Sequence, residues 1–465
     1  MNKLLLFFIL LGLSAGAWAQ TAKQPDTLIR NATVLTASHG TLANTDILLS
    51  NGKIAKIGKG LTPTPNARVI DGTGKYVMPG IFDGHSHTMI DGGVNECTKI
   101  VTAMARIEDV LNSGDINLYR ELAGGVTALN ILHGSCNSIG GQNAVVKVKY
   151  GHPIEDFFFG ALPGIKFALG ENPKRSNNPG GGGPRRYPAT RMGVEVTIRE
   201  AFLKARDYKA SWDEYNAAKK RGENVLPPKK DVTLDPLVEI LEGKRYVHSH
   251  CYRADEILML INLADEFGFK VRTFQHALEG YKVAKEIAAH GAGASIFVDF
   301  WGYKNEAYDA IPGAPDILTR AGVVVSLNSD SDERARRLNI EAAKTMRYGN
   351  VTEEEALRMI TLNPAKQFGV DNRLGSIDEG KDADLAIWNA HPFSVYARVE
   401  KTFVDGEILF DRDRDLQRRG EVAKEREMLE KMDANKPGKD SPPMPAPRKP
   451  AGYSREDAEQ GGGHQ

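Results

Sequence analysis

Apolar, strand-like runs alternate with helical stretches through the middle of the chain, from residue 81 to about residue 365. The strand-like runs include residues 125–132, 245–247, 271–274 and 323–327, and the helical ones include 255–267 and 282–290. Repeated strand–helix units produce parallel sheets, and roughly 280 residues suit a closed (β/α)8 barrel, the TIM barrel. A doubly wound open sheet is the alternative, but no Gly-x-Gly-x-x-Gly follows a strand here.

Short strands and tight turns flank this region on both sides. Residues 46–50 and 53–57 surround Asn51-Gly52, and residues 399–404 and 407–410 surround Asp405-Gly406. Asn-Gly and Asp-Gly are strong hairpin signals because both central residues of the tightest hairpin turns need positive φ. The two hairpins predict that segments from both ends of the chain pair in one small β-domain.

The first residues predict an export signal. Lys3 lies in a short basic start, residues 4–13 are apolar, and Ala17-Trp18-Ala19 has small residues at the positions that a signal peptidase requires. The apolar run is too short to span a bilayer. We therefore expect cleavage after Ala19 and a periplasmic or secreted mature protein without a membrane span. An uncleaved membrane anchor is the alternative.

These patterns divide the chain into four parts. Residues 1–19 form the signal peptide, and residues 26–80 together with 366–411 form the composite β-domain. Residues 81–365 form the barrel. Residues 412–465 are charged and then rich in Pro, Lys, Ser and Gly, which predicts a charged helix around 417–432 and a disordered tail. A tail that binds a partner is the alternative to a solvated extension.

Charge and cysteine content exclude several classes of protein. The 465 residues include 60 Lys+Arg and 60 Asp+Glu, so no global field favours nucleic acid or an anionic membrane surface. The cysteines Cys97, Cys136 and Cys251 permit at most one bridge within the chain and lack the Cys-x-x-Cys spacing of a structural zinc site. A soluble enzyme for a small molecule fits these values, with homo-oligomerisation left open.

Two histidines one residue apart, His85 and His87, end the strand-like run that begins at Val77. Strand alternation puts both imidazoles on the same side of the chain, where both can face one metal ion. Neutral imidazoles are common ligands of transition metals. Two histidines in a polar turn, without a metal, are the alternative interpretation.

Metal-binding side chains also accompany the other strand-like runs. In a parallel barrel the C-terminal ends of the strands converge on the face that carries the active site. The side chains in question are Lys166, His248, His250, His276 and Asp330. A histidine satisfied within the core is the alternative for each position. The repetition at successive strand ends favours a shared metal site.

With these residues the chain resembles the amidohydrolase superfamily, in particular its imidazolonepropionase-like branch. The run from Pro79 to His87, PGIFDGHSH, is similar to the family's strand-1 motif, and the order His-x-His, Lys, His, His, Asp is similar to its ligand order. Residues 374–385 look like the family's return into a β-sandwich. The resemblance covers residues 26–411 and implies a TIM barrel with a small β-sandwich domain built from N- and C-terminal segments.

The resemblance also implies a role for each residue. His85 and His87 would hold one metal ion, and His248 and His276 the second. Lys166 would bridge the two ions as a carbamate, because an ammonium group cannot ligate a cation. Two alternatives stay open: Glu171 as the bridge, and His250 in place of His248. Otherwise His250 would lie near the substrate.

The implied chemistry is hydrolysis of an amide or cyclic-amide C–N bond. Two Zn²⁺ ions per chain would lower the pKa of a shared water towards neutrality and give a hydroxide nucleophile. Asp330 would bind one ion, accept the proton of that water and pass it to the leaving nitrogen. His250 would help to polarise the substrate carbonyl. Cobalt, manganese and iron are alternatives to zinc.

Two glycine-rich stretches bear on the substrate. Residues 174–186 contain Arg175 and are followed by Arg191, which predicts a mobile lid whose arginines bind a substrate carboxylate; a solvated basic loop is the alternative. The second stretch begins at His133 and is predicted to line the same mouth, or to be a tight turn. A dipeptide, an N-acyl amino acid or a lactam-like molecule is the expected substrate.

Two other functions remain as alternatives. One is a barrel that has lost catalysis and binds a ligand or partner, and the other is a deaminase-type hydrolase with one metal ion. Metal content separates the three, since we expect two ions for the amide hydrolase, one for the deaminase and none for the binding protein.

Overall fold

The computed structural model describes residues 25–175 and 186–434. The predicted signal peptide, residues 176–185 of the first glycine-rich stretch and the predicted tail beyond residue 434 lie outside the described residues. The charged helix predicted around 417–432 is part of a helix that spans Arg412–Ala434.

Eight strands from the two ends of the chain form one mixed sheet. Numbered in chain order, they are β1 (Thr27–Leu35), β2 (Thr41–Ser50), β3 (Lys53–Gly58), β4 (Arg68–Asp71), β5 (Tyr76–Pro79), β15 (Leu385–Trp388), β16 (Val399–Val404) and β17 (Glu407–Asp411). Their order is β17-β16-β15-β5-β1-β2-β3, with β4 paired to β1. The antiparallel β15–β5 pair joins the C-terminal strands to the N-terminal ones. The separation of this sheet as a β-sandwich domain stays a prediction.

Both predicted hairpins are confirmed, because β2 pairs antiparallel with β3 and β16 with β17. Asn51 and Gly52 have φ of 51° and 75°, and Asp405 and Gly406 have φ of 48° and 76°. Positive φ at both central residues gives a turn whose twist matches that of the flanking strands. The two turns also lie against each other. The space beside the Gly52 backbone is so narrow that a Cβ atom on this residue would lie 3.2 Å from the Asp405 carbonyl oxygen.

Nine strands of the middle region form two further sheets. They are β6 (Ile81–Ser86), β7 (Val126–Ile131), β8 (Ile139–Gln142), β9 (Ala144–Lys147), β10 (Gly164–Ala168), β11 (Tyr246–Cys251), β12 (Val271–His276), β13 (Gly293–Ile296) and β14 (Val325–Leu327). One sheet has the order β14-β13-β12-β11-β10-β8, and the other β6-β7-β9. The neighbours from β10 to β14 are parallel, as are β6 and β7. β8 and β9 run antiparallel to β10 and β7.

Helices connect most of these strands. They are α1 (Ile116–Leu122), α2 (Glu171–Arg175), α3 (Arg191–Lys220), α4 (Asp235–Leu241), α5 (Ala254–Phe267), α6 (Ala284–His290), α7 (Ala314–Arg320), α8 (Asp332–Ala335), α9 (Leu338–Tyr348), α10 (Glu353–Met359), α11 (Leu362–Gln367) and α12 (Arg412–Ala434). The predicted helices at 255–267 and 282–290 correspond to α5 and α6. Both end at a glycine, Gly268 and Gly291, with φ of 78° and 81°, where a residue without Cβ is favoured. Within the described residues, none of these helices has the length and apolar character needed to cross a bilayer.

The two central sheets meet between β6 and β14, where the described residues show no shared strand ladder. The Asp83 carboxylate accepts hydrogen bonds from the backbone N–H of Ser329 (3.0 Å) and from its hydroxyl group. The Asp330 N–H donates to the carbonyl oxygen of His85 at 3.0 Å. We call these four residues the β6–β14 junction. It brings the C-terminal end of β6 and the segment after β14 into contact.

A disulfide bridge joins Cys97, in the segment after β6, to Cys136, in the segment after β7. The Arg186 guanidinium donates hydrogen bonds to the carbonyl oxygens of Cys97 and Cys136 and to that of Lys99. The one bridge that three cysteines permit is therefore formed. Cys251 is a buried free thiol.

Candidate metal centre

The site begins at the C-terminal end of β6, where His85 and His87 are both buried. Their ring centroids lie 5.2 Å apart. The Asp330 Oδ1 atom lies 3.3 Å from His87 Nε2 and 3.9 Å from His85 Nε2. One donor atom from each of the three residues lies within 4.8 Å of the other two, which is close enough to share a metal ion. The β6–β14 junction therefore assembles three predicted ligands.

His276 joins this group from the end of β12. Its Nε2 lies 3.9 Å from Asp330 Oδ2, and its ring centroid lies 4.5 Å from that of His85. His276 and Asp330 have φ of 67° and 46°, in the left-handed region that residues with a Cβ seldom adopt. Such backbone strain costs of order 1–3 kcal/mol and clusters at functional sites. At both positions the chain turns sharply after a short strand, and the side chain joins the site.

Lys166 of β10 is fully buried, and its Nζ lies 3.1 Å from His85 Nε2. The predicted bridging position is thus in contact with a predicted ligand. Glu171, the alternative bridge, is the first residue of α2, and its backbone N–H donates to Glu306 Oε2 at 3.0 Å. The contact with His85 supports Lys166 at this position.

His248 and His250 both lie on β11 and are both buried, but they have different neighbours. The His250 ring lies 4.8 Å from the His276 ring, whereas the His248 ring lies 5.0 Å from the ring of Phe368. Burial, together with the charges of Arg272 and Lys166, lowers the pKa of His248 to about 3. A neutral His248 therefore packs in the core, and His250 occupies the position next to His276.

The Nδ1 atoms of the first two histidines each have an oxygen partner. His87 Nδ1 lies 2.8 Å from the carbonyl oxygen of Leu132, which follows β7. His85 Nδ1 lies 3.1 Å from Gln275 Oε1. Oxygen partners place the N–H on Nδ1 and the lone pair on Nε2, the atom that faces Asp330 in both residues. Gln275 is not among the predicted site residues, and a glutamine between Phe274 and His276 gives no sequence signal of this contact.

Of the predicted substrate-binding residues, His133 and Arg191 have other partners in the structure. His133 is buried, with Nε2 accepting the Glu96 N–H (2.9 Å) and Nδ1 lying 2.8 Å from the Gly134 carbonyl oxygen. Both ring nitrogens of His133 therefore have backbone partners in the segments that follow β6 and β7. Arg175 is the last residue of α2, and its side chain lies outside the described part of the structure.

Arg191 lies between two buried carboxylates. Its Nε is 3.2 Å from Glu256 Oε2, and one terminal nitrogen is 2.8 Å from Glu306 Oε2. Arg191 begins α3, Glu256 lies in the first turn of α5, and Glu306 follows β13, so the ion pairs connect the segments that follow β10, β11 and β13. Burial raises the pKa of Glu306 to about 7, against the opposing effect of the Lys304 charge. Binding of a substrate carboxylate by Arg191 stays a prediction.

Comparison with known proteins identifies the family. The sequence profile described as Amidohydrolase family matches residues 223–409. The crystal structure of an amidohydrolase from Thermotoga maritima MSB8 is 34% identical and has a TM-score of 0.75, with 83% of this chain and 100% of that chain covered. The chain belongs to the amidohydrolase superfamily. From its similarity to structures of this family, this amidohydrolase has a TIM-barrel-type fold of mixed α/β content.

Two curated relatives agree with this assignment. The Amidohydrolase tasK of Hapsidospora irregularis is 30% identical over 397 residues, which are 79% of this chain and 40% of that protein. An imidazolonepropionase of Streptococcus gordonii is 23% identical over 420 residues, which are 79% of this chain and 90% of that protein. This amidohydrolase therefore spans less than half the length of the first relative. With such homologues, it is a hydrolase that acts on C–N bonds.

The family depends on metal ions, and the donor set of this amidohydrolase fits one. Neutral imidazole nitrogens and a carboxylate oxygen are ligands that suit Zn²⁺ and related divalent ions. His85, His87 and Asp330 offer these donor types at a shared, buried position. The two Nδ1 contacts described above leave the Nε2 atoms as the ligand atoms, as metal-binding histidines usually have them.

Proposed function

We propose that this amidohydrolase cleaves an amide or cyclic-amide C–N bond in a small molecule, such as a dipeptide, an N-acyl amino acid or a lactam. The observation that carries the proposal is the buried donor group of His85, His87 and Asp330, whose ligand atoms lie within 4.8 Å of one another. Family membership supplies the reaction class, and the donor group supplies a place for its metal.

Two ions per chain, as Zn²⁺, are the proposed cofactor. His85 and His87 would hold the first, and His276 with His250 would hold the second. His250 is proposed in preference to His248 because its ring, and not that of His248, contacts His276. Lys166 would lie between the two sets as a carbamate, a role that its contact with His85 supports. The bound ions would polarise the attacking water and the substrate carbonyl.

Asp330 is proposed to move the proton. Its two carboxylate oxygens lie 3.3 Å from His87 Nε2 and 3.9 Å from His276 Nε2, so it stands between the two sets of histidines. From there it would accept the proton of the attacking water and pass it to the leaving nitrogen. The burial of Asp330 and its neighbours excludes bulk water, which strengthens these electrostatic interactions.

Metal counting tests the proposal. We expect the purified protein to hold two equivalents of zinc or a related ion, and His87→Ala to lose at least one of them together with activity. His152→Ala is the matched control, because His152 lies outside the site and pairs with Glu407; it should keep the metal. One equivalent in the native protein would favour the deaminase-type alternative, and none would favour the binding protein.

A substrate screen tests the reaction. Dipeptides, N-acyl amino acids and lactams should be tried with the metal-loaded protein, with purine-like amines as the competing class. We expect hydrolysis of at least one of the first three classes, which forms a carboxylate and a free amino group, on separate products or, for a lactam, on one ring-opened product. Turnover of the purine-like amines alone would overturn the amide-hydrolase proposal.

Export to the periplasm or the cell exterior is also proposed. The support is the predicted signal at residues 1–19 and the Cys97–Cys136 bridge, because disulfides persist in oxidising compartments. N-terminal sequencing of the mature protein from its source should begin at Gln20. A mature chain that begins at Met1 would overturn cleavage.

A further inference from the structure

Gln275 stands immediately before His276 at the end of β12 and is fully buried. Its Oε1 lies 3.1 Å from Nδ1 of His85, which is also fully buried. The ring of His276 lies 4.5 Å from the same His85 ring. Two successive residues of one strand therefore contact the same imidazole, and the left-handed φ of His276 is what breaks the strand alternation there.

The chemistry of the amide decides the tautomer of His85. An amide oxygen can only accept a hydrogen bond, so the imidazole N–H must be on Nδ1. The lone pair is then on Nε2, which lies 3.1 Å from Lys166 Nζ and 3.9 Å from Asp330 Oδ1. With the amide reversed, its N–H would face Nδ1, the ring proton would move to Nε2, and His85 would lose its ligand atom.

Stability alone does not favour a glutamine at this position. The Nε2 of Gln275 is buried and has no hydrogen-bond partner among the described residues. A buried donor without a partner destabilises a fold, and an apolar residue of the same size would remove that cost. His87 differs, because its Nδ1 partner is a backbone carbonyl that no substitution can remove.

We propose that Gln275 is a positioning residue that fixes the tautomer and orientation of His85 for metal binding. The inference rests on the proposed function, since it assigns His85 to the metal site. Metal-binding histidines commonly have such an acceptor on the other ring nitrogen, and its loss typically lowers metal affinity by about 10- to 100-fold.

Zn²⁺ affinity, measured by competition with a chromophoric chelator, tests the proposal on three full-length variants. Gln275→Met should bind Zn²⁺ about 10- to 100-fold more weakly than the native protein. The thermal midpoint of the metal-free protein should change little, because removal of the unpaired Gln275 Nε2 offsets loss of the acceptor for His85 Nδ1. Gln275→Glu should bind at least as tightly as the native protein, because a carboxylate is the stronger acceptor. Gln367→Met is the matched control.

Gln367 is a buried glutamine that accepts from Ser326 Oγ and donates to the carbonyl oxygens of Val324 and Ala294, and none of these hydrogen bonds involves an imidazole. Its replacement should lower stability and leave Zn²⁺ affinity unchanged. Native affinity in Gln275→Met, or equal weakening in Gln275→Met and Gln275→Glu, would overturn the positioning role.

A second measurement separates this inference from the proposed function. Nitrogen NMR of the metal-free protein, labelled at histidine, should show His85 as the Nδ1–H tautomer in the native chain and a changed tautomer population in Gln275→Met. If the native protein binds no Zn²⁺, the proposed function fails, and an Nδ1–H signal lost on Gln275→Met would still establish the Gln275–His85 bond. A native His85 in the Nε2–H form would refute the inference by itself.

Discussion

At the scale of single residues, Asp83 connects the two halves of the metal centre. Its carboxylate accepts hydrogen bonds from the backbone N–H groups of His85 (3.2 Å) and Ser329 (3.0 Å) and from the Ser329 hydroxyl group. The side chain is fully buried. Because no strand ladder joins β6 to β14 in the described residues, these bonds hold the His85 and Asp330 segments together.

We therefore expect Asp83→Ala to weaken both the fold and the site. Three buried donors lose their acceptor, which should cost about 3 kcal/mol or more of the free energy of unfolding, and Zn²⁺ affinity should fall. Asp83→Asn should retain most of both, because its amide oxygen accepts the two N–H bonds while its NH₂ group donates to the serine oxygen. Chemical unfolding and chelator competition measure the two effects, and equal losses in Ala and Asn variants would contradict the argument.

Glu306 gives the stability a pH dependence. Its pKa is raised by burial from 4.5 to about 7, so between these values the folded chain holds a proton that the unfolded chain has released. Stability should therefore fall as pH rises from about 4.5 to about 7, with the contribution of Glu306 constant outside that window. In Glu306→Gln this part of the decline should disappear.

Thermal midpoints of the native protein and of Glu306→Gln, taken from pH 4 to pH 8, measure that difference. Glu214→Gln serves as the control, because Glu214 is exposed on α3 and a change there should leave the pH profile of the native protein unaltered. Parallel profiles for the native protein and Glu306→Gln would show that Glu306 does not titrate in this range.

The sequence predicts which histidines and which acid can bind a metal at the site. It does not predict the residues that hold those side chains in position. His85, His87, His276 and Asp330 are predictable because histidines and an acid recur at strand ends, and the structure brings these four together. Gln275 carries no comparable signal, since a lone glutamine fits many environments. The choice between His248 and His250 is also unpredictable. Both face the same side of β11, and the stagger between neighbouring strands decides which one meets His276.

At the scale of elements, buried Lys147 links β9 to the sheet built from both chain ends. Its ammonium lies 2.7 Å from Asp382, 3.1 Å from Asp384 and in contact with Asp405. One ammonium group therefore pairs with three carboxylates, and their pKa values are not all shifted in the same direction. Lys147 and other cations lower the pKa of Asp382 to about 2, whereas burial raises the pKa of Asp384 to about 6. The network fixes the hairpin between β16 and β17 against the central region.

Lys147→Met should leave buried carboxylates without their cation and lower the free energy of unfolding by about 3–5 kcal/mol near pH 7. The loss should shrink as pH falls towards about 6, because without Lys147 the pKa of Asp384 rises above that value and the carboxyl is protonated in the variant. Lys149→Met is the control, since Lys149 pairs with Asp405 nearer the surface and should cost under about 1 kcal/mol. Denaturant unfolding at pH 7 and pH 5 compares the two variants, and equal losses would contradict the role of burial.

Among the elements, the hairpins and the strands that carry ligands follow from the sequence, but β8 and β9 do not. Gly140 and Gly141 lie within β8, and glycine in a short run predicts a loop more readily than a strand. The strand exists because tertiary contacts support it. A Cβ on Gly141 would lie 2.8 Å from the Ala105 carbonyl oxygen, so the close approach of two backbones requires glycine there. Local propensity cannot reveal such a contact.

At the scale of the whole molecule, residues from both chain ends meet in one sheet, and the central region places its ligands at one end of the parallel strands. The alternation of strands and helices predicts this arrangement because chain connectivity restricts parallel sheets to few topologies. The 30-residue α3 has no equivalent in that alternation. It lies between β10 and β11, and the regular repeat of a barrel does not specify a helix of that length.

The Cys97–Cys136 bridge constrains the whole molecule through its effect on the unfolded chain. The two cysteines are 39 residues apart, and closing a loop of that length stabilises a fold by about 4 kcal/mol in the chain-entropy model. Leu132, whose carbonyl oxygen lies 2.8 Å from His87 Nδ1, belongs to the segment between β7 and Cys136. We therefore expect the Cys97→Ser/Cys136→Ser variant to unfold about 5 °C lower than the native protein and to bind Zn²⁺ more weakly.

Scanning calorimetry with and without a thiol reductant measures the first effect. The reductant should lower the midpoint of the native protein and of Cys251→Ala, which retains the bridge, but leave the double variant unchanged. A midpoint insensitive to reductant in the native protein would mean that the bridge contributes nothing to its stability.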